Sequence, residues 1–309
     1  MVSSRRAVSS VPAGEAGKDF MSPYIRPIVF LRSRTCYLEN AKCASSSIID
    51  LLGDADSLAS NAGRHEARLA ILRSRDTIDG RTIPPGIRWR LLQALSEFRT
   101  VTCVRNPYVR LLSAYLDLVE NPRRFPLQRI EAFGTASQVS FAEFVCKVEN
   151  QRTQEMNFHW RPQVALLAPE TIRYDCVARM ERFPQDLGKL ALSASTRMGA
   201  RGQEHGTRAS ALVDEYYTED LRTRIYDRYR ADFDVFGYYP ELARIMDFKG
   251  HRSHTSIGTR PANVQQPLPV WSPAFLFARM FNFVQRSAVW TFAWYARRAV
   301  ARARSRFIR

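Results

Sequence analysis

The apolar and polar positions of the chain repeat one arrangement twice: an extended apolar run, a turn, and an apolar helical pattern. The first unit runs from residues 35–38 through a loop into a helix that ends at Gly53. The second has a compact β-branched run at 100–104, typical of a strand buried on both faces, and a helix that begins at Pro107. Residues 25–38 as a whole have the pattern of a strand or a hairpin. The two units predict an α/β fold, a P-loop-like three-layer domain with a central parallel sheet, whose ligand lies at the carboxyl ends of the strands.

Changes in composition divide the chain into four segments. Residues 1–24 are polar and rich in small residues, so we expect them to be disordered and to contain no signal peptide or signal anchor. One globular domain is expected over residues 25–248. Residues 249–269 contain the prolines and serines of a linker. Residues 270–309 are dense in aromatic residues and then in arginine, which predicts an amphipathic helical tail.

Positive charge is concentrated in the tail. The net charge is +16, and eleven lysines and arginines but no acidic residue follow Asp247, so the remainder carries only +5. A basic tail on a mildly basic body favours a surface-binding appendage or anionic substrates over nucleic acid. The uncharged run at 287–296 has ten residues, fewer than the ~20 of a membrane-spanning helix. The tail therefore predicts an interfacial helix on an anionic membrane surface, with docking on a partner subunit as the alternative.

The cysteines number five, an odd count without a Cys-x-x-Cys pair. They are Cys36, Cys43, Cys103, Cys146 and Cys176. This usage indicates neither a zinc site nor a disulfide framework and fits a reducing compartment. We therefore expect a cytoplasmic protein without a bound metal, peripheral at the membrane if the tail binds lipid.

The loop of the first unit has the features of a phosphate-binding site. The first N–H groups of a helix lack intrahelical partners and lie at the positive end of its dipole, where they bind phosphate. Small side chains at Ala44 and Ser45 let the backbone come close, hydroxyls at Ser45 and Ser46 add donors, and Lys42 supplies a full charge. The loop is not a Walker A motif, because it lacks the glycines and the Gly-Lys-Ser/Thr end. The alternative is a serine N-cap with a solvated lysine.

A second anion clamp is predicted at the second unit. Arg105 lies at the end of the strand, and Ser113 lies two turns into the helix on the same face. Guanidinium binds oxyanions through paired hydrogen bonds, and the hydroxyl adds another donor. The alternative is that Arg105 caps a carboxylate while Ser113 packs in the interior. Together the two clamps indicate a ligand with two separate phosphate groups.

These motifs resemble those of the sulfotransferases that use 3′-phosphoadenosine 5′-phosphosulfate. Within them the chain is similar to the carbohydrate group, sulfotransferase family 2, with its chondroitin and HNK-1 enzymes and related bacterial proteins. The resemblance covers residues 30–238. It is carried in order by residues 41–47, the 5′-phosphosulfate loop; residues 105–115, the 3′-phosphate motif; residues 159–163 followed by Tyr174, Asp175 and Glu181; and residues 229–238. The chain departs from the family at Ala41, where proline is usual, so the start of the loop is expected to be less rigid.

The resemblance implies transfer of a sulfuryl group from this donor to a hydroxyl of a carbohydrate or glycolipid, with no metal. Lys42 would assist at the bridging oxygen of the donor as its bond to sulfur lengthens. The donor would be bound by the loop residues Lys42, Cys43, Ala44, Ser45, Ser46 and Ser47. The hydroxyls of Ser45 and Ser46 would contact its 5′-phosphate, and Ser47 would be a helix residue that at most touches the nucleotide. Arg105 and Ser113 would hold the 3′-phosphate.

The general base and the acceptor stay open at this point. His65, His159 and a carboxylate such as Glu66 are candidate bases, since the ordinary pKa of histidine suits proton transfer near neutral pH. The alternatives are that none of these residues is the base and that His159, beside Trp160, is a buried structural histidine. The arginine-rich segment within residues 54–97 would grip an anionic saccharide or lipid-linked sugar, or would form a solvated helix face.

Two other classes of function are compatible with parts of the pattern. A nucleotide-dependent phosphotransferase would need a metal-holding carboxylate at a strand end and a Gly-Lys-Ser/Thr loop, and the sequence has neither signal. A basic membrane-binding or nucleic-acid-binding module without catalysis is suggested by the charge alone. We expect no nucleic acid partner.

Overall fold

The computed structural model describes residues 24–53, 64–74, 76–119, 139–190 and 208–249. The segment predicted to be disordered, apart from Tyr24, therefore lies outside the described residues, as do the linker from residue 250 and the helical tail at 270–309. None of the helices in the described ranges has both the length and the apolar character that crossing a membrane requires.

The described ranges contain five strands, nine helices and three short 3-10 turns. The strands are β1 (Pro27–Phe30), β2 (Thr35–Leu38), β3 (Thr77–Asp79), β4 (Arg99–Val104) and β5 (Cys176–Arg179). The helices are α1 (Ser45–Leu52), α2 (Arg64–Leu72), α3 (Pro85–Ala94), α4 (Pro107–Leu118), α5 (Phe141–Asn150), α6 (Gln163–Leu167), α7 (Phe183–Leu190), α8 (Ala209–Tyr216) and α9 (Glu219–Phe236). The 3-10 turns are Gly80–Thr82, Met180–Arg182 and Leu242–Arg244.

The five strands form one mixed sheet in the order β3-β1-β2-β4-β5. Strands β2, β4 and β5 are parallel, whereas β1 is antiparallel to both of its neighbours. The prediction of a parallel sheet is therefore wrong for β1, whereas the hairpin, one of the two alternatives predicted for residues 25–38, is confirmed. Only residues 31–34 connect β1 to β2, and a parallel crossover needs a dozen residues or more, so this connection forms a hairpin with Val29 opposite Cys36.

Both faces of the sheet are covered by helices, as a three-layer fold requires. Ile28 and Phe30 of β1 belong to one apolar cluster, together with residues of α1, α2 and α7. Val29, from the opposite face of the same strand, belongs to a second and larger cluster with residues of α3, α4, α5, α6, α8 and α9. Successive strand residues thus enter two different cores, which explains why the strands show no polar alternation.

Helix α4 is the buried helix that follows the central strand β4. The Asn106 side chain caps it by accepting a hydrogen bond from the Tyr108 N–H, and Pro107 occupies its first turn. Eleven of its twelve residues are buried, Leu116 being the exception. The predicted start of this helix is confirmed. Because α4 is packed along its length, the polar side chains that it carries are held in place by a rigid element.

Candidate active site

The loop between β2 and α1 has an unusual backbone. Lys42 has φ 67° and Ala44 has φ 56°, so two non-glycine residues out of three adopt the left-handed conformation. Such residues cost about 1 kcal/mol or more each and concentrate at functional sites. Ala44 is the N-cap of α1 and makes no side-chain cap, so the predicted alternative of a serine N-cap is wrong. The positive end of α1 is therefore presented by a loop with a specific, strained shape.

The serines of α1 differ in their surroundings. The Ser45 hydroxyl accepts a hydrogen bond from the Tyr37 hydroxyl at 3.1 Å and donates one to the Asn40 carbonyl at 3.0 Å. Ser45 thereby ties the loop to β2. Ser46 is exposed and Ser47 is half-buried. Contacts of these residues with a 5′-phosphate stay predictions.

Cys43 is a buried residue of the loop between β2 and α1. Its side chain is fully buried, and its N–H donates to the Asn40 carbonyl at 3.3 Å. Burial raises the pKa of the Cys43 thiol to about 12, so the thiol stays protonated. All five cysteines of the chain are free thiols. Cys43 thus shapes the loop, and its thiol offers no negative charge that would repel a phosphate.

Lys42 is paired with an acidic residue that the sequence reasoning missed. Its ammonium forms an ion pair with the Asp117 carboxylate of α4, and each of the two side chains is only 10% exposed. The predicted alternative of a solvated lysine is therefore wrong. Asp117 is the one acidic residue of α4 and lies one helical turn beyond Ser113 on the same face, and this position is the signal that could have revealed it.

Arg105 lies directly beside this loop. Its Nη1 donates to the Lys42 carbonyl oxygen at 3.2 Å, so the two predicted cations of the site are adjacent. Among the described residues, no carboxylate forms an ion pair with Arg105, contrary to the alternative in which it caps one. Burial lowers the pKa of the Arg105 guanidinium, and the charge of Glu181 acts in the opposite direction. Ser113 is 3% exposed on α4.

Gln163, at the start of α6, joins the two predicted phosphate-binding segments. Its Oε1 accepts from Asn40 Nδ2 at 2.8 Å and from the Arg105 N–H at 3.0 Å, and its Nε2 donates to the Arg105 carbonyl at 2.8 Å. Its own N–H donates to Asp232 of α9 at 2.8 Å. Gln163 is fully buried. The sequence alone assigned it no role, because these contacts join segments distant in the chain.

Arg110 of α4 connects the loop to the segment that carries His159. The guanidinium donates to three carbonyl oxygens, those of Ala41 at 3.0 Å, Arg161 at 2.8 Å and Phe158 at 3.1 Å. Its side chain is almost wholly buried. The start of the loop at Ala41 is thus anchored by a buried arginine, although the family's usual proline is missing there.

His159 is held as one tautomer. Asn157 Oδ1 accepts from the His159 N–H at 3.0 Å, which identifies this atom as the amide oxygen. The same oxygen lies 2.8 Å from His159 Nδ1, so Nδ1 must donate, and in the neutral ring the lone pair is on Nε2. Burial, and then the charges of Lys42, Arg110 and Arg26, lower the pKa of His159 well below 6.5. His159 is therefore a neutral imidazole within the field of Lys42, the state that a general base requires.

The other two candidate bases belong to the first turn of α2. His65 lies in the first turn of α2, but its side chain is outside the described part of the chain, so its role stays a prediction. Glu66 is exposed on the same helix. In the described ranges, no three His, Cys, Asp or Glu side chains gather as metal ligands would.

Asp175, Glu181 and Tyr238, from the last two segments that carry the family resemblance, contribute to contacts with β4 and α4. Glu181 accepts from the Asn106 N–H at 2.6 Å and from the Tyr238 hydroxyl at 3.0 Å. Asp175 accepts from the Thr100 N–H at 2.7 Å. Glu181 therefore positions the start of α4, next to Arg105, whereas Asp175 contacts the opposite end of β4.

Comparison with known proteins identifies the class to which this fold and site belong. The profile of the Sulfotransferase family matches residues 41–239, from the loop before α1 to just beyond α9. The chain belongs to the sulfotransferase family, and the resemblance inferred from its motifs is confirmed.

The curated relatives that it matches are carbohydrate sulfotransferases. It is 28% identical over 171 residues to carbohydrate sulfotransferase 12 of Mus musculus, which covers 47% of this chain and 41% of the relative. It is 28% identical over 239 residues to carbohydrate sulfotransferase 8 of Mus musculus, covering 67% and 55% respectively. Human carbohydrate sulfotransferase 8 is 28% identical over 241 residues, covering 69% and 55%. The chain thus spans about half the length of these relatives. No solved structure matches the chain.

Proposed function

We propose that the protein transfers a sulfuryl group from 3′-phosphoadenosine 5′-phosphosulfate to a hydroxyl of a carbohydrate. The observation that carries the proposal is the adjacency of two cations at two strand ends: Lys42 after β2, and Arg105 after β4 with its Nη1 on the Lys42 carbonyl. A donor with a 5′-phosphosulfate and a 3′-phosphate has anionic groups at two separate positions. The family match favours this chemistry over the phosphotransferase and the non-catalytic module.

The proposed reaction makes one bond and breaks one. The acceptor oxygen forms a bond to sulfur, while the bond between sulfur and the 5′-phosphate oxygen breaks and leaves its electron pair on that oxygen. Lys42 stabilises the negative charge that develops there. The acceptor hydroxyl loses its proton to Nε2 of His159, the nitrogen with the lone pair. The products are a sulfate ester and the 3′,5′-bisphosphate nucleotide.

The remaining parts of the proposal rest on the sequence. A glycolipid acceptor, contact with an anionic membrane through residues 270–309 and a cytoplasmic location stay predictions, since the tail lies outside the described residues. The carbohydrate acceptor is supported by the names of the relatives, which are carbohydrate sulfotransferases.

The proposal predicts labelled ester formation from a donor that carries isotopically labelled sulfur. The protein is incubated with this donor and with a panel of neutral and anionic oligosaccharides, and the labelled saccharide and the released bisphosphate nucleotide are quantified. We expect at least one acceptor to give the two products in equal amounts. Absence of labelled saccharide with every acceptor, together with no release of the bisphosphate, would contradict the proposed function.

A further inference from the structure

The ion pair between Lys42 and Asp117 links the loop before α1 to a helix 75 residues further along the chain. Each side chain is nine-tenths withdrawn from solvent. A lysine ammonium is a compact, strongly hydrated charge on a flexible four-carbon stem, so its burial requires a compensating partner. Asp117 provides that partner.

Asp117 lies on the face of α4 that is directed toward the loop before α1. It lies four residues after Ser113 and seven after Arg110, so the three side chains share one face of α4. Arg110 contacts the Ala41 carbonyl directly, which establishes that this face points toward the loop. Because α4 is buried along nearly its whole length, the carboxylate has little freedom to move.

The backbone of Lys42 is also held. Its carbonyl oxygen accepts from Arg105, and the carbonyl of the preceding Ala41 accepts from Arg110. With both carbonyls fixed, the torsions of the lysine stem decide where the ammonium lies. Asp117 restrains those torsions, since it contacts the ammonium itself.

We infer that Asp117 is a positioning residue for the reaction: it holds the ammonium of Lys42 where the leaving phosphate oxygen of the donor arrives. The inference rests on the proposed function. Asp117 itself carries a negative charge, which repels an anionic donor. Its contribution is therefore to the chemical step, at some expense in donor affinity.

Asp117→Asn separates these two effects, because asparagine keeps the shape of aspartate and removes its charge. We expect the turnover number at saturating donor and acceptor to fall by about tenfold to a hundredfold, the range for a displaced catalytic group. The dissociation constant of the 3′,5′-bisphosphate nucleotide is expected to stay the same or to decrease. Asp117→Glu, which restores a carboxylate, is expected to recover part of the turnover. A merely structural residue would not give this split between turnover and affinity.

The matched control is Asp50→Asn, which removes a carboxylate from another partly buried ion pair. Asp50 lies in the second turn of α1, the helix that follows the same loop, and it is bound by Arg68 at 2.9 Å and 2.6 Å. We expect wild-type turnover from this variant. Equal losses from the two variants, or wild-type turnover from Asp117→Asn, would overturn the inference.

A second readout needs no turnover. The ion pair with Asp117 restrains the Lys42 ammonium at a position where the side chain is only 10% exposed, so Asp117→Asn is expected to accelerate acylation of Lys42 by amine-directed reagents severalfold. The modified peptide is quantified by mass spectrometry, with the exposed Lys189 as internal reference. An unchanged rate at Lys42 would overturn the inference. Failure of the wild type to release bisphosphate from the donor would instead contradict the proposed function.

Discussion

Replacing Lys42 with alanine is expected to lower the rate of bisphosphate release from the donor by roughly 10²–10³-fold, the usual effect of removing one preorganised group that stabilises developing charge. The loss should appear in the turnover number at saturating donor and acceptor, because the lysine acts on the leaving oxygen. Lys189→Ala, which removes an exposed lysine of α7, is expected to retain wild-type turnover.

Lys42→Ala is also expected to destabilise the fold, and a double variant separates this loss of stability from the loss of turnover. Lys42→Ala leaves the Asp117 carboxylate buried without its ammonium, and breaking a buried ion pair costs about 3–5 kcal/mol. Lys42→Met combined with Asp117→Asn removes the stranded charge and should recover much of the melting temperature without recovering turnover. A stable double variant that is still within tenfold of the wild type in turnover would contradict the role of Lys42.

His159→Gln is expected to lower sulfuryl transfer by roughly 10²–10⁴-fold, the range for loss of a general base. Glutamine fills similar space but cannot take the proton. In the wild type the pKa of His159 is held well below 6.5 by burial and by the nearby charges of Lys42, Arg110 and Arg26, so the base is neutral at pH 7. The rate of transfer is expected to fall with decreasing pH only below 6.5, as His159 becomes protonated.

The same depressed pKa makes a prediction for stability that requires no substrate. Below pH 6.5 the unfolded chain binds a proton at this histidine while the folded chain does not, so His159 lowers the free energy of unfolding as the pH falls. Chemical denaturation at several pH values should show a smaller acid dependence of the free energy of unfolding in His159→Gln than in the wild type.

His65→Gln tests the rival base in the assay of sulfuryl transfer. Loss of transfer in His65→Gln, with transfer retained in His159→Gln, would reverse the assignment of the base.

The sequence predicted those secondary-structure elements that depend on neighbouring residues. Pro107 and the apolar spacing after it predicted the start of α4, and the compact run at 100–104 predicted a strand buried on both faces. The direction of β1 was not predictable from its apolar pattern, because burial on both faces is compatible with either direction. The four-residue connection to β2 decided it.

The sequence predicted only those residues of the candidate site that belong to short motifs with a recognisable chemical function. Lys42 and Arg105 belong to such motifs, and their adjacency follows from neighbouring parallel strands. Asp117 and Asn157 lie outside such motifs, and Gln163 lies in a stretch whose resemblance gave it no role. Their roles come from contacts made after folding: an ion pair across 75 residues, an oxygen that selects a histidine tautomer, and a side-chain amide between two loops.

The central claim is that Lys42 and Arg105 mark two phosphate positions of one nucleotide, and calorimetric titration tests it most directly. Adenosine 3′,5′-bisphosphate and adenosine 5′-monophosphate are titrated into the wild type and into Arg105→Ala. We expect the wild type to bind the bisphosphate about ten- to a hundredfold more tightly, the value of a hydrogen-bonded charge pair at the 3′-phosphate. Arg105→Ala should bind both nucleotides about equally. Equal affinities in the wild type, or a preference for the bisphosphate that survives in Arg105→Ala, would contradict the account.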